Sequence, residues 1–204
     1  MRSSAAISEH LDTRTAAIEV AGLLDSAMEG HVDLVLAYGS FHHRESFEEA
    51  VADIKRTLNP GITIGVTVES AVGCDLELEG VAGLSALAMQ IPGVTLSPWT
   101  TTPDNPVPIS KPERIPEWIS LQEDTKAVFF FADPFSTPIT RLLPALVNTA
   151  RATNEIPIIG GMASGASQKG FNRLILNDEL ITGGGIGLTM SGDIHIIGGE
   201  DVDI

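Results

Sequence analysis

One local pattern occurs twice in this chain, in the same order, and it restricts the folds open to it. Leu34 to Phe41 (LVLAYGSF) is echoed by Val128 to Phe135 (VFFFADPF), and Gly61 to Gly65 (GITIG) by Ile156 to Gly160 (IPIIG). Gly83 to Ala86 (GLSA) is echoed by Gly187 to Met190 (GLTM). Each block reads as an apolar strand entering a turn. The first two blocks recur at nearly the same spacing and the third at a longer one, which implies an insertion in the second copy. A repeat of this size implies one pseudo-symmetric α/β domain, and such domains offer small ligands a site between their halves.

The segments around the blocks complete the pattern. Asp12 reads as the N-cap of a helix carrying Ala17, Val20, Ala21, Leu24 and Met28 on one face, stopped by Gly30. The strand Asp33 to Tyr38 follows. A second helix is expected from near Arg44, with Phe47, Val51, Ile54 and Leu58 inward, acids first and Lys55 and Arg56 last. Strands are expected at Ile62 to Val68, Val81 to Gln90 and Val94 to Ser97. Pro98 to Pro116 holds half of the 12 prolines and reads as an irregular connector. Beyond it the spacing predicts a short helix at Ile115 to Leu121 and a strand at Ala127 to Ala132. Next comes a helix with Pro138 at its first position and a kink or late start caused by Pro144. Strands at Ile156 to Ile159, Phe171 to Leu176, Gly185 to Met190 and Ile194 to Ile197 finish the chain, with Ser191, Gly192 and Asp193 as a hairpin turn. Each half reads α-β-α-β-β-β. The expected fold is therefore α/β, internally duplicated, with two mixed sheets covered by helices in an αββα-like sandwich. The halves fall at about residues 12–97 and 115–198, joined by the connector 98–114.

Composition narrows the partners. The chain has 204 residues, 43% of them apolar, enough for a sizeable core in one domain. With 12 basic against 27 acidic residues its formal charge is −15, which argues against nucleic acid or an anionic membrane as the main partner. The acids are scattered, as a solvated surface requires. The single cysteine, Cys74, excludes an internal disulfide and fits a reducing compartment. No stretch approaches a membrane span, and Met1 to Asp12 is too polar for a signal peptide.

Few residues suggest chemistry. Ile159 to Ser167 (IGGMASGAS) has paired glycines after a strand, which either admit a ligand to free amides or serve sterics alone. It is neither a Walker loop nor a GxGxxG turn, and the run Gly183 to Gly187 supplies no such spacing either. Its counterpart is IGVTVES, Ile64 to Ser70. Cys74 is the one candidate nucleophile, but Asp75, Glu77 and Glu79 beside it oppose thiolate formation, so an incidental cysteine is favoured. Glu69 and Asp75 read first as turn and surface residues. His42 and His43 are neighbours whose side chains diverge, which suits a helix start or one ligand contact better than a metal. Arg44, near a strand end, suits a carboxylate partner, and Arg141 occupies a comparable region in the other half. Hydrolase, protease and redox motifs are absent, and no catalytic residue, metal or cofactor is expected.

Taken together, Leu34 to Phe41, Ile64 to Gly73, Gly80 to Leu87, Pro157 to Gly165 and Gly183 to Leu188 resemble the N-terminal half of the FIST domain, named for F-box and intracellular signal transduction proteins. The resemblance spans about residues 32–190. Its most specific piece is PIIGGMA, Pro157 to Ala163, where an apolar strand leads to Gly-Gly-x-Ala. It implies a cytoplasmic sensory domain that binds a small ligand, with amino acids as candidates and no enzymatic activity established. A signal would then leave through a protein partner. Family members usually continue through a Gly-Cys-Arg-Pro-type segment into a C-terminal FIST region. This sequence ends at Ile204, so the expectation is a truncated relative or one subunit of an assembly.

On this reading the repeated strand ends supply Ser40, Phe41, Arg44 and Phe135 to the ligand. The two glycine-bearing turns add Thr67 and Glu69 in the first half and Gly160, Gly161, Met162 and Ser164 in the second. Two alternatives stand beside it: an enzyme using Cys74 or a Ser/Thr of the glycine-rich turns, and a scaffold that only associates.

Overall fold

The two clearest helical periodicities become two helices on one face of the molecule. The computed structural model describes residues 1–196. The first part of the chain gives β1 (Arg2–Ser8), α1 (Thr13–Ala27), β2 (Leu34–Ser40), α2 (Phe47–Leu58), β3 (Ile62–Val68), β4 (Ser70–Gly73), β5 (Leu76–Glu79) and β6 (Leu84–Gln90). The second gives β7 (Val94–Thr101), α3 (Ile115–Trp118), β8 (Thr125–Ala132), α4 (Ile139–Asn154), β9 (Ile158–Met162), β10 (Leu174–Leu176), β11 (Glu179–Ile181) and β12 (Gly185–Gly192).

Helix α1 is capped as its sequence requires: the Asp12 carboxylate accepts from the Thr15 amide at 2.8 Å, satisfying an amide that a helix start leaves open. In α2 the buried residues include Phe47, Val51, Ile54 and Leu58, with Glu48 and Glu49 first and Lys55 and Arg56 last. Each such buried side chain contributes roughly 1.5–3 kcal/mol. This helix starts later than Arg44 because Phe41–Ser46 first winds as a 3-10 helix.

Two mixed sheets result. One has the order β1-β6-β2-β3-β10-β11 and the other β7-β12-β8-β9. In each, one adjacent pair is parallel, β2 with β3 and β8 with β9, each joined by a helix; β6 and β12 lie antiparallel beside β2 and β8. The order β1-β6-β2-β3 thus has the same connections as β7-β12-β8-β9. The sheets pack face to face through Leu34, Leu36, Ile64 and Val66 on one side and Phe131, Ile186, Leu188 and Met190 on the other. Outward residues Val35 and Ala37 meet α1 and α2, while Val128 and Phe130 meet α3 and α4. Four layers follow, helix, sheet, sheet, helix, the α/β sandwich the sequence predicts. Trp99 of β7 lies over Gly187, where a Cβ would stand 1.9 Å from its ring, and stacks on Phe130 at 5.5 Å.

The structure corrects the predicted elements in several places. Strand β1 was not foreseen, nor were the short hairpin β4–β5 and the strand β11 that pairs with β10. Val94 onward, assigned to the end of the first half, is the edge strand β7 of the second sheet, and it runs through Pro98 to Thr101. An edge tolerates that proline because its missing amide leaves no ladder partner unsatisfied. Pro138 stands just before α4, and α4 continues through Pro144 without a late start. Strand β6 begins only at Leu84, β9 extends to Met162, and β10 begins at Leu174. Ser191 to Asp193 is no hairpin turn: β12 runs to Gly192, and the Asp193 amide donates to the Gly93 carbonyl. Ile194 to residue 196 forms no strand, and residues 197–204, with the end of the expected strand Ile194 to Ile197, lie outside the described residues.

The register of the repeat also changes. The Ser40 amide donates to Gly83 O and the Asp133 amide to Gly184 O, both at 2.8 Å, so Ser40 corresponds to Asp133 and not to Pro134. Tyr38 then corresponds to Phe131, and these two rings meet edge to face at 6.1 Å between the sheets. The GLSA block corresponds to residues from Gly184, not from Gly187. The pairing of Gly65 with Gly160 stands, since Ala37 faces Gly65 and Phe130 faces Gly160 across the parallel pairs.

Candidate functional site

The C-terminal ends of both parallel pairs emerge on the same side of the sandwich, where strand ends of α/β sheets commonly leave a crevice. Phe41 and His42 follow β2, Glu69 follows β3, Pro134 follows β8, and Ala163 to Ser167 follow β9. Together with Met162 and Gly80 they line a cleft of about 600 Å³. Equivalent turns of the two halves therefore face one another across it.

The loop after β9 is held from below by Thr67. The carbonyl of this buried residue accepts from the amides of Ser164 and Gly165 at 3.1 and 3.2 Å. Gly165 approaches so closely that a Cβ would lie 2.7 Å from that of Thr67, which leaves no room for a side chain. Ser164 Oγ in turn accepts from the Glu69 amide at 3.0 Å, tying the turn after β3 to the turn after β9. A second tie lies deeper. Asn172 Nδ2 donates to the buried Asp133 carboxylate at 3.0 Å and to the Ala163 carbonyl at 3.2 Å. The amides of Ala166 and Ser167 make no hydrogen bond among the described residues.

Of the residues predicted to meet a ligand, Phe41, Glu69, Met162 and Ser164 line this cleft. Arg44 lies beside it, its guanidinium 4.1 Å from the Phe41 ring centre and 4.9 Å from that of Phe171, so it stiffens Phe41 by cation–π contact. Ser40 and Thr67 are buried and structural: Ser40 Oγ accepts from the Gly83 amide, and Thr67 Oγ1 accepts from the Arg173 amide. Phe135 is exposed but outside the lining. Gly160 serves sterics, with φ 146° and a hypothetical Cβ 2.0 Å from the Phe130 carbonyl. With Gly161 it borders a separate apolar groove of about 330 Å³ that includes Tyr38, Phe129 and Ile159; burial there pushes the Tyr38 hydroxyl up to about 12. Cys74 is exposed at the turn between β4 and β5, its Sγ 3.2 Å from the Ala5 carbonyl, and lines neither opening. The Arg44 and Arg141 positions are not equivalent, because Arg141 lies within the first turn of α4.

Sequence reasoning missed Gly80 and Pro134, and from the loop after β9 it selected Met162 and Ser164 but not Ala163 or Gly165 to Ser167. Correct registration of Asp133 on Ser40 would have placed Pro134 at the position of Phe41.

Among the described residues no helix is long and apolar enough to cross a membrane. The comparison with curated proteins finds no match. The FIST N domain, a family associated with sensing in signal transduction, matches residues 33–199. That match takes in both parallel strand pairs and every residue lining the cleft, and by it the chain belongs to the FIST N domain family.

Proposed function

We propose that this domain is an intracellular sensor whose cleft at the joined strand ends binds a small amine-bearing ligand, with amino acids as the leading class. The observation that carries the reading is the convergence of equivalent turns from both sheets on one cleft. Glu69 supplies the carboxylate there, and the uncommitted amides of Ala166 and Ser167 are the donors left for a ligand's own carboxylate. The Ser164 and Gly165 amides are spent on Thr67, so the glycine turn is not itself an anion cradle. Phe41, Met162 and Pro134 offer apolar surface for a side chain. Because the cleft is shared between turns of both halves, occupancy favours one relative setting of those turns, and a protein partner reads the difference. The matched connections of the two sheets fit an origin by internal duplication.

The reading is tested by calorimetry and thermal shift with the free amino acids and their N-acetyl derivatives. Saturable binding is expected for at least one amino acid, weakened about tenfold or more by N-acetylation and by Glu69→Gln, since both remove a charge-assisted contact. A folded protein silent to the whole panel, or binding indifferent to Glu69→Gln, rejects it.

A further inference from the structure

The two halves differ at the corner beside α4. In the first half α1 covers the corresponding place, and its Thr13 Oγ1 reaches the buried His43 at 3.0 Å. The counterpart of α1 in the second half is the four-residue α3. In place of the lost turns runs the proline-rich segment after β7, which arches over the start of α4 without filling the space beneath. A cavity of about 410 Å³ is left between them, within the size range of small-molecule sites.

Its lining has a distinct chemistry. Val107, Ile109 and Leu142 form an apolar floor, and Pro103, Pro106, Pro108 and Pro138 form stiff walls without amide donors. The Ser136 hydroxyl donates to Asp133 and the Thr137 hydroxyl to the Gly184 carbonyl, so both protons are committed. Arg141, exposed at the margin, is the one charged residue in the lining and makes no ion pair or side-chain hydrogen bond among the described residues. In a chain of charge −15, a cavity bordered by a lone cation and no acid selects by sign. The Thr101, Thr102 and Ser110 hydroxyls of the lining serve acid and neutral molecule alike, whereas only the guanidinium matches a carboxylate with two parallel donors.

We propose that this cavity is a second binding site, distinct from the strand-end cleft, for a small organic monocarboxylate with an apolar body. The carboxylate pairs with Arg141, and the body rests on Val107, Ile109 and Leu142 between the proline walls. Rigid walls keep the cavity open without a ligand, so little ordering opposes binding.

The test is two-dimensional amide NMR of the whole chain, titrated with isobutyrate, benzoate and 3-phenylpropionate and with the amide of each acid. Saturable shifts are expected at the amides of Val107, Ile109 and Gly184 with at least one acid. The matching amide, and the same acid with the Arg141→Gln protein, should bind about tenfold or more weakly. Because Arg141 is exposed, the variant should melt as the wild type does, which separates lost binding from lost folding. The Glu69→Gln protein should bind the acid as the wild type does. No saturable shift with any acid, equal affinity for acid and amide, or an unaffected Arg141→Gln protein overturns the proposal. Acid binding that instead moves the amides of Ser164 to Ser167 also overturns it, while leaving the strand-end reading intact.

Discussion

His43 shows how much one side chain's setting decides. It is fully buried between β2 and α2, with Nδ1 against Thr13 Oγ1 and no partner for Nε2 among the described residues. Burial, with the neighbouring His42 adding to it, holds its pKa below the ordinary 6.5, while Asp12 pulls the other way. The folded state therefore resists a proton that the unfolded state accepts. His43 costs nothing above the ordinary value, where both states are neutral. Stability then falls as the pH drops below about 6.5, toward the lowered folded value. Urea unfolding at pH 7.5 and 5.5 should show this loss, and His43→Gln should reduce it; a wild-type and variant pair with equal pH slopes would exclude His43 as the cause. The sequence showed the His pair but not this burial, because nothing local to His42 and His43 reveals that α1 closes over one of them.

At the scale of elements, helix ends carry the clearest unrelieved strain. Asn59 and Glu155 both cap helices in the left-handed region, at φ 44° and 54°. Asparagine tolerates that conformation and glutamate does not. Glu155→Gly is expected to raise stability by about 0.5–1 kcal/mol, read as a higher urea midpoint with an unchanged slope; a lower midpoint would mean the Glu155 side chain contributes more than its backbone costs. Helices α1 and α2 were readable because each buries only one face and repeats every 3.6 residues. The repeated strands were readable as strands but not in phase. LVLAYGSF and VFFFADPF are covered on both sides, so their apolar runs lack alternation, and a slip of one residue exchanges the faces unnoticed. The hairpin β4–β5 escaped for the opposite reason: Leu76 to Glu79 is mostly exposed and half of it is glutamate, and its pairing depends on the turn at Cys74, φ 54°.

For the whole molecule, the formal charge of −15 sets an expectation that depends on no single contact. Like charges crowded on one surface repel, and salt screens them within a Debye length of about 8–10 Å near physiological strength. The melting temperature should therefore rise as sodium chloride increases from low ionic strength to about 0.3 M; a fall would show that the few ion pairs, such as Lys55 with Asp178, outweigh the general repulsion. The strand-end cleft was partly readable at this scale, since the repeat pointed to facing turns and Phe41, Glu69, Met162 and Ser164 do meet. The second cavity was not, because it exists only where α3 is too short to match α1, and a missing turn leaves no motif.

The placement of Trp99 over Gly187 has a use beyond packing. Both tryptophans of the chain, Trp99 and Trp118, belong to the cluster between the second sheet and its helices. The single tyrosine, Tyr38, lies between the sheets, and α1 and α2 carry no indole. Tryptophan emission is thus an optical label for one outer layer, while circular dichroism samples the whole backbone. Whether the two signals change together on heating reports directly whether the two halves, so alike in their connections, melt as one body or as two.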